Sequence, residues 1–359
     1  MKPAGSDSGR GSGLDSGLDA GIAPGIDPAA IDAAARQLEA GQLVAFPTET
    51  VYGLGADAEN PQAVARIYAA KGRPANHPVI VHIAPEADLA YWAAAVPDEA
   101  RQLIAAFWPG PLSLILKRAA HIPDAVSGGQ DSIGIRCPSH PVAQALLRAF
   151  RGGKGGVAAP SANKFGHVSP TTAQHVRDEF GPDHAIASIL DGGQSAVGIE
   201  STILDLSRLA THGPVLLRPG HISAADIAAV IGHTPAEPDA AAPRASGTLE
   251  AHYAPRTPVA LVAPLQLAAT LARLQLAGRR IALMGLSTSI ATNVAARFDM
   301  PAAPDAYAHD LYVALRQLDL AAADLIVVEA PPQVSLWQAV NDRLRRAAYD
   351  SAGILERLL

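Results

Sequence analysis

Two periods of apolar residues run through this chain, and they predict interleaved strands and helices. Short apolar runs such as 43–46 and 112–117 are typical of buried strands. The segment 61–71 instead spaces its apolar residues three and four positions apart, as one face of a helix does. The two patterns alternate from about residue 27 to residue 232. This order predicts an α/β domain.

Residues that favour helix ends lie at the boundaries of the helical segments. Pro28 suits the first turn of a helix that ends at Gly41, and Gly72 follows the last periodic residue of the next helix. Ser169, which precedes a proline, and Ser223 are both typical N-terminal caps. We therefore expect helices to begin at these two serines.

The pattern changes twice along the chain, which predicts its division into domains. Residues 1–26 are rich in Gly, Ser and Asp and are expected to form a disordered tail ahead of a first domain over 27–233. Residues 234–258 contain prolines and small residues with little periodicity, and we interpret them as a linker or lid. Strand and helix patterns return in 259–359, which predicts a smaller, Rossmann-like α/β domain. This domain has no GxGxxG after a strand, so no dinucleotide is expected there.

Composition narrows the classes of function. The chain has 359 residues, of which 49% are hydrophobic, and a net charge of −6, which argues against a general nucleic-acid binder. A single cysteine, Cys137, excludes an intrachain disulfide and a multi-cysteine zinc site. The N-terminus has no secretory pattern, and the sequence has no apolar run of membrane-spanning length. We expect a soluble cytoplasmic protein.

Three glycine-containing motifs are candidate ligand sites. PTETVYGLG (47–55) follows a strand and fits a ligand loop and a strand–turn–strand equally well. In KGRP (71–74) the cation and glycine suit a helix C-terminus, but Lys71 and Arg73 also suit an oxyanion clamp. RGGKGG (151–156) has no Ser or Thr after its lysine, so it is interpreted as a turn and not as a Walker loop.

Polar side chains also stand where apolar strands end. Arg136 in GIRCP and Arg218 in LLRPG each leave a buried strand, and a buried arginine needs a carboxylate or a bound anion as its partner. Ser161 and Asn163 in APSAN lie at a strand-to-loop transition, where small-ligand sites collect. Ser201 in GIEST lies in a loop flanked by glycine.

The motifs FPTETVYGLGADA, KGRP, PVIVHI, WPGPLSLIL, GIRCPSHP, AAPSAN, SPTTA, DGG, GIESTILDL, LLRPG and HYAP follow one another in this order. Together they resemble the threonylcarbamoyl-AMP synthase family in its longer, two-domain form. The likeness is dense up to residue 232 and looser beyond it. It implies a twisted open α/β sheet around a large, concave, positive cavity, a smaller Rossmann-like C-terminal domain, and a linker that folds over the cavity.

The resemblance also implies which residues bind the two substrates. The residues implied for threonine are Thr50, His82, Arg136 and Ser201. The residues implied for ATP are Lys71, Arg73, His77, Ser132, Ser161, Asn163, Ser169, Arg218 and Tyr253. Lys71 and Arg73 would also be the catalytic pair, with Thr48 and Tyr52 as cavity wall. His77 stands where many family members have asparagine.

The implied reaction joins L-threonine, bicarbonate and ATP into threonylcarbamoyl-AMP and pyrophosphate, with Mg²⁺ carried by ATP and no organic cofactor. A tRNA threonylcarbamoyl transferase complex would use the product, and neither membrane nor stable nucleic-acid binding is expected. Two alternatives remain. An RNA-binding module of the same fold is disfavoured by the charge and by 4% aromatic residues. A carbamoyl-adenylate-forming carbamoyltransferase is disfavoured by the single cysteine, because that class carries cysteine-rich zinc segments.

Overall fold

The computed structural model describes residues 27–182, 185–286 and 293–359, so the predicted tail lies outside the described residues. The strands of the first domain are β1 (Leu43–Phe46), β2 (Gly53–Asp57), β3 (Ile80–Ile83), β4 (Leu112–Lys117), β5 (Ser132–Arg136), β6 (Gly156–Ala158), β7 (Ile186–Ile189), β8 (Thr202–Asp205) and β9 (Val215–Arg218). Its helices are α1 (Pro28–Glu39), α2 (Pro61–Lys71), α3 (Leu89–Trp92), α4 (Asp98–Phe107), α5 (Asp124–Ser127), α6 (Pro141–Ala149), α7 (Ala173–Phe180), α8 (Leu209–His212) and α9 (Ala224–Ile231).

These nine strands form one open sheet in the order β7-β1-β2-β6-β3-β5-β4-β8-β9. The sheet is mixed, since β3 pairs with β5 in parallel while β1 pairs with β2, and β4 with β5, antiparallel. Its central strands are buried throughout, as their apolar runs predict. The predicted α/β class is therefore confirmed, with antiparallel pairs that bring the ends of neighbouring strands and the loops between them to one cavity.

Most predicted helix ends are confirmed, and one is wrong. Gly72 ends α2 in the left-handed conformation with φ 64°, and Ser223 caps α9 in a reciprocal capping box with Asp226. Ser169 caps no helix, because α7 begins at Ala173 with Thr172 as its cap. The Ser169 hydroxyl is instead used inside the protein, where it donates to a buried carboxylate described below.

The C-terminal domain contains β10 (Val259–Val262), α10 (Pro264–Leu276), β11 (Ile281–Gly285), β12 (Ala296–Asp299), α11 (Pro304–Asp319), β13 (Leu325–Glu329), α12 (Gln338–Ala347) and α13 (Ile354–Leu358). Its sheet has the order β10-β13-β11-β12 and is parallel throughout. The Rossmann-like prediction is confirmed. Helix α10 and strand β12 were not predicted, although the first has a readable stripe in Leu267, Leu271 and Leu274.

The two domains share a hydrophobic cluster. Val51, Val168 and Ile199 from loops of the first domain pack with residues of α11 and α12, among them Leu311 and Leu344. The linker runs between the domains and forms isolated bridges to the first one. These contacts place α11 and α12 directly behind the loops that carry the site. None of the helices in the described part of the chain has both the length and the hydropathy that a transmembrane span requires.

Candidate active site

A cavity of about 40 Å³ lies where the strand ends of the first domain meet the linker. The residues implied for threonine all line it, together with three of those implied for ATP and both wall residues: Thr50, His82, Arg136, Ser201, Ser161, Arg218, Tyr253, Thr48 and Tyr52. Glu200 and the linker residues Ser246 and His252 complete much of the remaining wall. Residues far apart in the sequence therefore converge on one small space.

Arg136 leaves the end of β5 and has its partner inside the protein. Its Nη2 lies 2.7 Å from a carboxylate oxygen of Glu49, and both side chains are less than a tenth exposed. Its Nη1 donates to the Thr50 hydroxyl at 2.9 Å, and its Nε donates to the Gly110 carbonyl at 3.2 Å. The other oxygen of Glu49 accepts from the Ser139 amide. Three groups of the protein thus hold the guanidinium in one orientation.

Glu49 was missed at the level of sequence. Arg136 was predicted to need either a carboxylate or a bound anion as its partner, and Glu49 lies in the PTET motif that was already singled out. Its neighbours Thr48 and Thr50 stabilise the same turn, with their hydroxyl oxygens 2.8 Å apart. The loop after β1 carries this glutamate to the end of β5, and only the folded structure shows that contact.

His82, in the middle of β3, enters the cavity as a neutral group. Its ring is buried, and its Nδ1 has no hydrogen-bond partner in the described structure. Burial, together with the nearby positive charge of Arg136, lowers the pKa of His82 to about 3. At neutral pH the ring therefore offers a hydrogen bond and carries no charge.

Arg218 is hydrogen-bonded to Ser201. The Arg218 Nε and Nη2 donate to the Ser201 carbonyl at 3.0 and 2.9 Å, and the Ser201 hydroxyl lies 2.8 Å from that of Ser113. The remaining Arg218 nitrogen, Nη1, donates to the Ser246 carbonyl of the linker at 2.8 Å. Burial lowers the pKa of Arg218 from its ordinary value. The loop that carries Ser201 and the strand that carries Arg218 are thereby joined.

Lys71 is the last residue of α2, and Arg73 follows the glycine that caps this helix. Lys71 Nζ donates to the carbonyl of Ser161, at 2.6 Å, and to that of Asn163. Arg73 Nη2 donates to the Pro78 carbonyl at 2.8 Å and to the linker hydroxyl of Ser246 at 3.5 Å. Burial, and then the charge of Arg73, lowers the pKa of Lys71 well below its usual value. Burial lowers the pKa of Arg73 to about 10.

Two linker residues of the HYAP motif, His252 and Tyr253, line the cavity. Tyr253 is buried with φ +62°, and its hydroxyl donates to the Gly247 carbonyl at 3.5 Å. The ring of His252 lies 4.1 Å from that of Tyr253, and burial lowers the pKa of His252 to about 3. Ser246 contacts Arg73 and Arg218. In this arrangement the linker occupies hydrogen-bonding positions of the two arginines.

Six residues implied for ATP lie outside the cavity lining: Lys71 and Arg73, described above, and His77, Ser132, Asn163 and Ser169. Ser132 begins β5 and lines a neighbouring cleft with Arg244 of the linker. The His77 ring packs edge-on against Phe165 with centroids 5.4 Å apart. Asn163 donates to the carbonyls of Lys164 and His167, and Ser169 donates to Glu200 at 2.5 Å.

The carboxylates near the cavity are already engaged. Glu49 faces Arg136, and Glu200 accepts from Ser169 and from two residues of the C-terminal domain. In the part of the chain that the structure describes, no three His, Cys, Asp or Glu side chains are grouped as metal ligands.

Two family models cover most of the chain. One, described as "Telomere recombination", matches residues 36–220, and the other, described as "Threonylcarbamoyl-AMP synthase, C-terminal domain", matches residues 222–349. Their border lies within a few residues of the start of α9.

Curated relatives are similar over nearly their whole length. The threonylcarbamoyl-AMP synthase of Pyrococcus abyssi is 38% identical over 331 residues, which is 89% of this chain and 94% of the relative. The Bacillus subtilis enzyme of the same name is 39% identical over 333 residues, 89% of this chain and 92% of its own.

Solved structures agree with the sequences. A structure described as P. abyssi Sua5 complexed with L-threonine has a TM-score of 0.81 at 36% identity, covering 90% of this chain and 95% of that one. A structure of a double alanine variant of P. abyssi Sua5 has a TM-score of 0.82 at 34% identity, over 91% of this chain and 95% of that one. This agreement spans both domains, and the chain belongs to the threonylcarbamoyl-AMP synthase family.

Proposed function

We propose that this protein makes threonylcarbamoyl-AMP from L-threonine, bicarbonate and ATP. The observation that carries the proposal is the convergence of Thr50, His82, Arg136 and Ser201 on one cavity, bordered by three further buried cations. A related chain of the same fold is described as complexed with L-threonine. The arrangement supports binding of one small amino acid next to a polyanion.

The groups in the cavity suit the parts of free threonine. Arg136 offers positive charge and planar donors to the carboxylate, in an orientation fixed by Glu49. The Thr50 and Ser201 hydroxyls and the neutral His82 ring can exchange hydrogen bonds with the amino and hydroxyl groups. One methyl separates serine from threonine and is worth only about 1 kcal/mol, so weaker turnover of serine is expected.

The proposed reaction needs positioning more than a protein nucleophile. The neutral amine of threonine takes up bicarbonate carbon to give an N-carboxylate, with loss of water. An oxygen of that carboxylate then attacks the α-phosphorus of ATP, and the bond to pyrophosphate breaks. Two anions must approach each other, and Lys71, Arg73 and Arg218 stand where they can offset the repulsion.

Magnesium and the remaining partners belong to the proposal. Mg²⁺ would enter on the phosphates of ATP and add positive charge there. A tRNA threonylcarbamoyl transferase complex in the cytoplasm would consume the adenylate.

Because the present cavity of about 40 Å³ is much smaller than the several hundred Å³ of ordinary ligand sites, ATP entry requires the linker to move.

The test is release of pyrophosphate from ATP and bicarbonate, with and without L-threonine. Threonine-dependent release supports the proposal. Release that needs carbamoyl phosphate instead would identify a carbamoyltransferase. No release, together with a salt-sensitive mobility shift of bare RNA, would favour the RNA-binding alternative.

A further inference from the structure

A buried ion pair joins the C-terminal domain to the wall of the cavity. Arg343 on α12 donates from Nε to the Glu200 carboxylate at 2.8 Å, and its side chain has an exposed fraction of 0%. Tyr312 on α11 donates to the same carboxylate oxygen at 2.9 Å. Glu200 itself lines the cavity and directly precedes Ser201.

The same guanidinium also reaches both loops that carry site residues. Its Nη2 donates to the Glu200 carbonyl at 3.3 Å, and its Nη1 donates to the Pro219 carbonyl at 3.0 Å. Pro219 directly follows Arg218. The face of the guanidinium lies 5.2 Å from the centre of the Tyr253 ring. One side chain of the C-terminal domain thus contacts the neighbours of Ser201 and Arg218 and the ring of the linker.

We infer that Arg343 is a positioning residue of this active site, which fixes Ser201, Arg218 and Tyr253 through the contacts of its planar guanidinium. The inference rests on the proposed function and assigns the C-terminal domain a part in it. Arginine suits the role because it presents several donors in a rigid fork, which a lysine cannot reproduce. Tyr312 supports it by holding the Glu200 carboxylate.

The electrostatic setting agrees with this geometry. Burial alone would raise the pKa of Glu200, but the charges of Arg343 and Arg218 hold it at about 2. The carboxylate is therefore ionised in the folded protein and needs its donors. Without Arg343, a charged carboxylate would lie at the cavity wall, beside the region where a triphosphate is proposed to bind.

The first experiment compares Arg343→Lys with Arg345→Lys, a matched change on the same helix at a side chain that is 58% exposed. Dissociation constants for ATP and for L-threonine are measured by calorimetry, and KM and kcat by pyrophosphate release. Arg343→Lys is expected to raise both dissociation constants about tenfold or more, since it loses hydrogen bonds of a charged donor. Arg345→Lys is expected to behave as wild type.

A second pair of variants protects the test against a folding defect. Tyr312→Phe removes only the hydroxyl that donates to Glu200, whereas Tyr307→Phe removes a hydroxyl on the same helix that points to Met284. Tyr312→Phe is expected to weaken threonine binding several-fold, and Tyr307→Phe to leave it unchanged. Both proteins keep the aromatic packing and are expected to fold.

The outcomes separate positioning from a structural role. If Arg343→Lys and Tyr312→Phe lower only the unfolding temperature, with both dissociation constants within twofold of wild type, the inference is wrong. If the wild-type chain binds ATP and threonine without releasing pyrophosphate, the proposed function fails. The binding constants of the variants still decide the inference in that case.

Discussion

At the scale of single residues, the site is a set of buried polar groups that stabilise one another. Arg136 was predicted to need a partner, and Glu49 provides it. Lys71 was weighed as a helix-end cation or a clamp, and it lies at the helix end while binding two carbonyls beside the cavity. Residue type and position relative to a strand end were enough to select these side chains. Their partners lie on other strands and could not be selected in that way.

The Glu49–Arg136 pair is expected to matter far more for stability than an exposed pair of the same kind. Glu49→Ala leaves Arg136 buried without its carboxylate, which should lower the free energy of unfolding by about 3 kcal/mol or more. Glu86→Ala breaks the Arg148 pair, whose side chains are 61% and 44% exposed respectively, and should cost less than about 1 kcal/mol. Urea unfolding of the two variants gives both values. Equal losses would show that Glu49 is not the required partner.

Substitution of the two clamp residues, Lys71 and Arg73, is expected to reduce turnover much more than it disturbs folding. Arg73→Ala removes a planar cation from the proposed phosphate site, so kcat/KM for ATP should fall about 100-fold. Lys71→Ala should reduce it similarly and also lose about 1–3 kcal/mol of stability, because the Ser161 and Asn163 carbonyls lose their buried donor. Pyrophosphate release and thermal unfolding are measured on both, with Lys117→Ala, whose side chain is exposed, as the control. Near wild-type turnover in either clamp variant would contradict its assignment.

At the scale of elements, the linker is the least regular segment and the one most closely placed on the site. Its composition predicted a linker and could not show its path, because prolines and small residues carry no periodic signal. The structure places Ser246 on two arginines and Tyr253 over the cavity. The missed strand β12 is a similar case, since its side chains are at most partly buried and form no apolar run.

Substitution of one glycine, Gly247, tests whether the linker must pack closely against Tyr253 and Arg218. Gly247 has φ +76°, and a Cβ added there would lie 2.0 Å from the Tyr253 hydroxyl and 2.9 Å from Arg218 Nη1. Gly247→Ala should therefore displace the linker, weaken ATP binding and increase protease cleavage within 234–258. Gly232→Ala is the control, because it has φ +74° with no atom within 4 Å of the added Cβ. Matching cleavage rates in the two variants would contradict close packing of the linker.

At the scale of the whole molecule, the first domain and the linker line the cavity, and the C-terminal domain contacts Glu200 behind it. The order of motifs predicted the α/β class of the first domain. The structure brings the four residues implied for threonine to one cavity, whereas six of those implied for ATP lie outside its lining. The α/β character of the second domain was also predicted. Its part behind the cavity was not, since Arg343 sits on a helix whose sequence shows an ordinary mixture of charged residues. Contacts between domains depend on how the two folded domains pack against each other, and a local sequence pattern does not predict this.

The free energy of unfolding of the whole chain should decrease in two stages as the pH falls, because buried histidines are held neutral and buried glutamates are held ionised. Burial lowers the pKa of His82 and His252 to about 3 and that of His175 to about 4, while unfolded histidine titrates near 6.5. Below about pH 6.5 the unfolded chain thus binds more protons than the folded chain. Each of these histidines therefore lowers the free energy of unfolding by about 1.4 kcal/mol per pH unit, until the pH reaches the pKa of that histidine in the folded chain. Glu179 and Glu200, with pKa about 2, contribute stability that is complete above about 4.5 and is lost as the pH falls towards 2.

Urea unfolding between about pH 7 and pH 4.5 isolates the first of these stages, because the two glutamates contribute there almost fully. The free energy of unfolding should decrease steadily below about pH 6.5, with a slope that reports the number of histidines kept neutral. His175→Gln should reduce that slope by about one proton, since the substituted amide does not titrate. His175 lies outside the cavity lining, so turnover should be kept and folding of the variant can be verified by it. A free energy that stays flat between about pH 7 and pH 5 would mean that these rings take up protons in the folded chain, and His82 would then enter the site as a cation.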